Sequence, residues 1–149
     1  MKVLIIEARF YEHISDMLLE GAMAELEAAD AEVHKVVVPG ALEIPHVISM
    51  ANDSSAGYDA YVALGCVIRG ETTHYDYVCE QSAAGLMQLG VTKQLCIGNG
   101  IITVENEEQA IARADKAQKD KGGFAARTAV LMKSIKDDLA KGEPEGGDA

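Results

Sequence analysis

The sequence predicts an α/β fold, a three-layer α/β/α sandwich built on a four-stranded parallel sheet, and three observations lead there. Short runs rich in β-branched residues alternate with longer helical patterns in the order βαβαβαβα. The first run, Val3-Leu4-Ile5-Ile6, is apolar at every position, as suits a strand covered on both faces. No internal repeat or interior low-complexity linker divides the chain, whose 149 residues are near the usual size of one compact domain. Together these favour the flavodoxin-like plan, with helices on both faces of the sheet.

Each element follows in order. After the first strand, Ile14, Leu18, Ala22 and Leu26 recur at helical spacing and predict a helix over about 14–29. A second strand over 33–38 is ended by Pro39-Gly40, and Pro45 opens a short helix through Met50, since proline is tolerated in a first turn. The third strand covers 61–67 and the third helix 75–89. Leu95-Cys96-Ile97 reads as a fourth strand, closed by a turn at Gly98-Asn99-Gly100. Helices over about 105–114 and 123–139 follow. The single domain is expected to span 1–141, with 142–149 (GEPEGGDA), which has no large apolar residue, as a disordered acidic tail.

Composition narrows the function. Hydrophobic residues make up 48% of the chain, yet no apolar run approaches the roughly 18 residues of a membrane span. The N-terminal MKVLIIEARF is too short in its apolar part for a secretion signal, so a cytoplasmic protein with no membrane association is expected. The net charge of -11 opposes binding to nucleic acid. Cys66, Cys79 and Cys96 form no CxxC pair and have no histidine at ligand spacing, which predicts reduced thiols and no metal site.

In an open parallel sheet, ligands bind outside the carboxyl ends of the strands. That rule selects the loops 8–11, 39–43, 68–74 and 98–101. The third is the richest: Gly70, Thr72 and Thr73 stand at a strand-to-helix junction, where free N–H groups and the helix dipole favour an anion. Taken alone, this loop is better explained by plain helix capping by threonine. Glu71 fits an anion site only through its N–H, with its carboxylate turned away. His74 lies beside this turn, where a group that transfers protons near neutral pH is useful. His13, His34 and His46 have no such setting.

Two strings carry more than local chemistry. Val38-Pro39-Gly40-Ala41-Leu42-Glu43-Ile44-Pro45 and the run GCVIRGETTHYD from Gly65 to Asp76 closely resemble the signature segments of lumazine synthases. Arg9-Phe10 and Thr103-Val104-Glu105-Asn106-Glu107-Glu108-Gln109-Ala110, followed by Arg113, resemble them too, so the likeness runs over nearly the whole chain, about 3–139. The resemblance implies a role for each matching position. Phe10 stacks on a pyrimidine ring, as aromatic faces do. Backbone groups of Ala41 and Leu42 and the Glu43 carboxylate hold a ribityl chain, and main-chain groups of Cys66, Val67 and Ile68 meet the polar edge of the pyrimidine. The Glu71 N–H, Thr72 and Arg113 bind a phosphate, for which the planar guanidinium is suited. His74 shuttles protons. Asn99 belongs to the opposite wall of a pocket shared between subunits.

The activity so implied is that of a transferase in riboflavin biosynthesis. It joins 5-amino-6-(D-ribitylamino)uracil to 3,4-dihydroxy-2-butanone 4-phosphate, giving 6,7-dimethyl-8-ribityllumazine with no metal or redox cofactor. Alternatives are a catalytically inactive flavin- or lumazine-binding paralogue, a scaffold, and the enzyme that dismutates lumazine. His74, Thr72 and Arg113 favour the synthase, because a pure binder needs no phosphate site. Asn99 stands where many members carry an aromatic residue, and Tyr11 replaces a frequent asparagine, so altered affinity is expected. A homo-oligomer is implied. The chain enters its first strand almost at once, and residues 113–121 lack the glycine-rich bend of shell-forming members; both favour a pentamer over a sixty-subunit shell.

Overall fold

The computed structural model describes residues 1–142, so beyond Gly142 the expected tail lies outside the described residues. Lys2–Ala8 (β1) pairs on one side with Glu32–Val38 (β2) and on the other with Ala60–Ile68 (β3). Strand β3 pairs in turn with Ile97–Val104 (β4). All four strands are parallel, in the order β2-β1-β3-β4. This is the beginning of the flavodoxin-like order, and its direction reverses between β1 and β3.

Successive side chains of a strand point to opposite faces. In β1 this divides Val3 and Ile5 from Leu4, Ile6 and Ala8 and builds two cores. The first lies under the helices Glu12–Ala28 (α1), Glu107–Ala114 (α4) and Lys121–Lys141 (α5), through Ile14, Leu18, Ala22, Leu26, Ala110, Ala114, Ala125, Ala126 and Ala129. The second lies under Ile44–Asp53 (α2) and His74–Thr92 (α3), through Ile44, Ile48 and Leu86. The three-layer sandwich is therefore present as expected. No helix among the described residues is long and apolar enough to cross a membrane.

Local chemistry sets the helix ends. Helix α4 starts at Glu107 rather than 105 because Asn106 caps it, accepting from the Gln109 N–H at 2.9 Å while Gln109 returns a side-chain bond to the Glu105 N–H at 2.8 Å. Helix α5 starts at Lys121, where Asp120 has φ 45° and accepts from the Gly123 N–H at 3.2 Å. A short 3-10 helix, Ala41–Glu43, leads into α2 and is absent from the sequence expectation.

The fourth strand differs most. It was expected at 95–97 with a turn at 98–100, but β4 runs from Ile97 to Val104 and holds Gly98, Asn99 and Gly100 within it. Asn99 pairs with Ala63, and Gly100 with Leu64. The reason is contact with α5: a Cβ on Gly98 would lie 1.8 Å from the Ala125 carbonyl oxygen. Glycine there admits a helix backbone against the strand instead of turning the chain.

Candidate active site

The carboxyl ends of β1, β2 and β3 open into one cavity of about 380 Å³, within the range of small-molecule sites. Its lining is Ala8, Phe10 and Tyr11 after β1, Pro39 to Glu43 after β2, Cys66, Val67 and Ile68 at the end of β3, and His74 and Val78 on α3. The cavity thus sits where the strand order reverses, as such sheets place ligand sites. Three of the four loops selected from the sequence meet in it. The fourth does not, because 98–101 lies inside β4, whose carboxyl end is Val104.

The walls are mostly apolar with a few polar groups. Phe10 is 77% exposed and meets Tyr11 edge-on at 4.9 Å, leaving a ring face available. Ala41 is buried, Leu42 is exposed and Glu43 is half-buried on the 3-10 helix. Leu42 and Glu43 also line a second, wider groove between α2 and α3, of about 870 Å³, which lacks Phe10 and His74. Burial pushes the Cys66 thiol up from its ordinary 9.0 to about 12, so it is an uncharged S–H at neutral pH. Cys66 and Cys96 are buried, and Cys79 is half-buried; all three are free thiols.

The 69–76 segment is fixed from its sides. The Arg69 guanidinium donates to Glu105 at 2.8 Å and to Asp76 at 3.3 Å, and stacks over Tyr75 at 4.3 Å. The Thr72 hydroxyl accepts from the His74 N–H at 3.3 Å, whereas Thr73, the residue before α3, makes no side-chain cap. Part of the capping alternative is therefore realised, by Thr72. Glu71 and His74 are both exposed, and His74 reaches the cavity from the first turn of α3.

Four of the expected site residues do not line this cavity in the single chain. Glu71 and Thr72 lie beside it on the loop before α3. Arg113 is half-buried on α4 and donates to the Gln109 carbonyl at 3.2 Å. Asn99 accepts from the Ile101 N–H at 3.0 Å and faces another hollow, with Met87, Val91 and Met132, beside the β4 edge.

Sequence reasoning missed the anchors behind the cavity. Glu7, on β1, is 1% exposed, yet carries a carboxylate. It accepts from Arg9 Nη1 at 2.5 Å, and Lys35 Nζ on β2 lies 3.2 Å from its other oxygen. That second oxygen has no partner of hydrogen-bond geometry, so Lys35 acts on it as a charge. Arg9 also bonds Asp16 on α1. The bond with Glu7 first, and that with Asp16 next, raise the Arg9 guanidinium above its ordinary value and keep it charged. The available signal was a lone acid at the end of an otherwise apolar strand. Buried carboxylates require partners.

The family model for 6,7-dimethyl-8-ribityllumazine synthase matches residues 1–137. The chain belongs to the 6,7-dimethyl-8-ribityllumazine synthase family. Relatives named 6,7-dimethyl-8-ribityllumazine synthase are close in sequence. The protein of Bartonella tribocorum is 58% identical over 134 residues, 90% of this chain and 89% of its own. That of Sphingopyxis alaskensis is 56% identical over 140 residues, 94% of this chain and 98% of its own. A relative from Rhizobium meliloti, named 6,7-dimethyl-8-ribityllumazine synthase 1, is 55% identical over 141 residues, 92% of each chain. Within this lumazine synthase family match lie every lining residue of the cavity and all the anchors around it.

Proposed function

We propose that the chain is a 6,7-dimethyl-8-ribityllumazine synthase, a transferase of riboflavin biosynthesis that condenses 5-amino-6-(D-ribitylamino)uracil with 3,4-dihydroxy-2-butanone 4-phosphate. The observation that carries this reading is the meeting of Phe10, the 3-10 helix Ala41–Glu43, the end of β3 and His74 around one cavity.

Each wall has a part in the chemistry. The Phe10 ring stacks on the pyrimidine, and main-chain groups of Cys66, Val67 and Ile68 meet its polar edge. Ala41, Leu42 and Glu43 hold the ribityl hydroxyls. The pyrimidine's amine attacks the ketone carbonyl, and loss of water gives an imine. Phosphate leaves, and ring closure on the second nitrogen releases another water. His74, in reach of the cavity from α3, carries protons between these steps. Glu71 (through its N–H), Thr72 and Arg113 hold the phosphate, and Asn99 forms the facing wall from a neighbouring subunit. Holding both substrates in register is worth up to about 7–11 kcal/mol, and a positioned general acid–base adds about 10²–10⁴-fold.

The working unit is a homopentamer. Arg113 and Asn99 do not line the cavity of their own chain, which supports a site completed across a subunit boundary. The α4–α5 bend turns at Asp120 in a left-handed conformation and contains no glycine before Gly122, unlike shell-forming members. Incubating the protein with both substrates tests the activity: lumazine absorbance and fluorescence are expected, and their absence with properly folded protein refutes the synthase reading. Light scattering tests the assembly. A mass near five chains is expected; one near sixty, or a fully active monomer, overturns it.

A further inference from the structure

We propose that Glu7 is a positioning residue: through Arg9 it holds the segment after β1 so that Phe10 faces the cavity. The inference rests on the role given to Phe10 above. Side chains alternate along an extended chain, and the alternation continues past the end of β1. Ala8 and Phe10 line the cavity, whereas Glu7 and Arg9 bond each other on the α1 side of the sheet. Fixing Arg9 to one face therefore fixes Phe10 to the other.

Arg9 is held at both ends of the corner. Its guanidinium bridges Glu7, within β1, and Asp16, in the second turn of α1, and so brackets the residues that carry Phe10 and Tyr11. Glu7 is the rigid end of this bracket, because it is buried in the sheet and faced by Lys35 from β2 at 3.2 Å. Asp16 is the exposed end, with its side chain 69% accessible to solvent. The corner's other ties are half-buried Tyr11, packed against the first core, and Ser15, which donates its N–H to the Tyr11 carbonyl at 2.9 Å and its hydroxyl to the Ala8 carbonyl at 3.4 Å. Neither bond touches Phe10, whose ring is largely bare. Beyond the edge of Tyr11 at 4.9 Å, its direction follows the backbone of this corner, which Arg9 ties to both β1 and α1. A planar, two-ended guanidinium suits this task, and a neutral amide at position 7 keeps the volume and an acceptor oxygen but loses the ion pair with Arg9 and the charge facing Lys35.

The test is a double-mutant cycle on the full-length protein, read as the dissociation constant of 6,7-dimethyl-8-ribityllumazine by fluorescence titration. Glu7→Gln is expected to weaken binding about fivefold, within the range by which coupled neighbours interact. In a Phe10→Ala background the same change is expected to do less than about twofold, since the ring it orients is gone. In steady state the KM for the pyrimidine rises with Glu7→Gln, while turnover at saturation and the KM for the ketone phosphate hold. Equal losses in both backgrounds, or no loss in either, overturn the inference. Should Glu7→Gln not fold, Asp16→Asn at the exposed end carries the test: a loss that vanishes with Phe10→Ala supports the bracket, and an unchanged constant refutes it. Failure of the wild type to form lumazine counts against the synthase reading, whereas an active wild type with an additive cycle counts against the role of Glu7 alone.

Discussion

Replacing Gly98 by alanine tests the close approach of β4 and α5. The added Cβ would stand 1.8 Å from the Ala125 carbonyl oxygen and 2.6 Å from its carbon, and Cβ atoms essentially never approach other atoms within 3.0 Å. Strand and helix must separate by at least about 1.2 Å, the difference between those distances. Both atoms belong to the main chain, so no rotamer change relieves the overlap, and the 21-residue α5 must shift as a body. That movement loosens Ala125, Ala126 and Ala129, all in the core under the sheet. Overpacking costs about 1–3 kcal/mol, and the upper end applies where backbone meets backbone. At about 2–4 °C per kcal/mol for a chain of this size, Tm falls by about 6–12 °C. Circular dichroism melting at fixed pH and protein concentration measures it. Gly90→Ala is the control, since a Cβ there meets only an ordinary contact at 3.9 Å, and alanine in a helix gains up to about 1 kcal/mol over glycine. A Gly98→Ala melting point within about 2 °C of wild type refutes the packing argument.

Other outcomes follow from the site. His74→Ala is expected to lower turnover by about 10²–10⁴-fold while product binding, followed by fluorescence, changes by less than about 1 kcal/mol; unchanged turnover removes the proton-carrying role. Arg113→Ala is expected to raise the KM for the ketone phosphate by about 1.5–3 kcal/mol equivalent, leaving the pyrimidine KM nearly constant; equal losses for both substrates refute that division. Cys66 is expected to resist iodoacetamide at pH 8, because a thiol moved from 9.0 to about 12 holds about a thousandfold less thiolate than an ordinary one. The folded chain keeps this proton where the unfolded chain releases it, so its contribution is full below pH 9.0 and is lost as pH rises towards about 12. Alkylation of native Cys66 at the rate of denatured protein contradicts its burial.

Where hydrophobic period and element coincide, the fold was legible. The helix α1 was visible from Ile14, Leu18, Ala22 and Leu26, which all prove buried, and β1 from its unbroken apolar run. The carboxyl-end rule then located three loops of the cavity without any coordinates. It failed for β4 because the buried positions of that strand are Gly98, Gly100, Ile102 and Val104. Half of the inward side chains are missing, so the two-residue period is erased, and Leu95-Cys96, which precede the strand, read together with its first residue Ile97 as the whole of it. Glu7 was overlooked for the opposite reason. Its acid reads as the end of an apolar run, and only the pairing of β1 with β2 brings Lys35 beside it. Ion pairs across strands depend on register, which a single sequence does not declare.

The pairing of α1 with α5 on one face of the sheet also governs how the chain meets the ribosome. Residues Ile14, Leu18 and Ala22 leave the ribosome early, yet Ala125, Ala126 and Ala129, which complete their core, belong to the last described helix. At typical synthesis rates the chain between Ala28 and Lys121 takes about 5–18 s to make. Through that interval this side of the nascent sheet is covered only in part, by α1 and at the end by α4, and the apolar surface meant for α5 is open to chaperones or to a neighbouring nascent chain. Late closure of this kind makes the yield of folded protein sensitive to any substitution that slows the docking of α5, even one that leaves final stability unchanged.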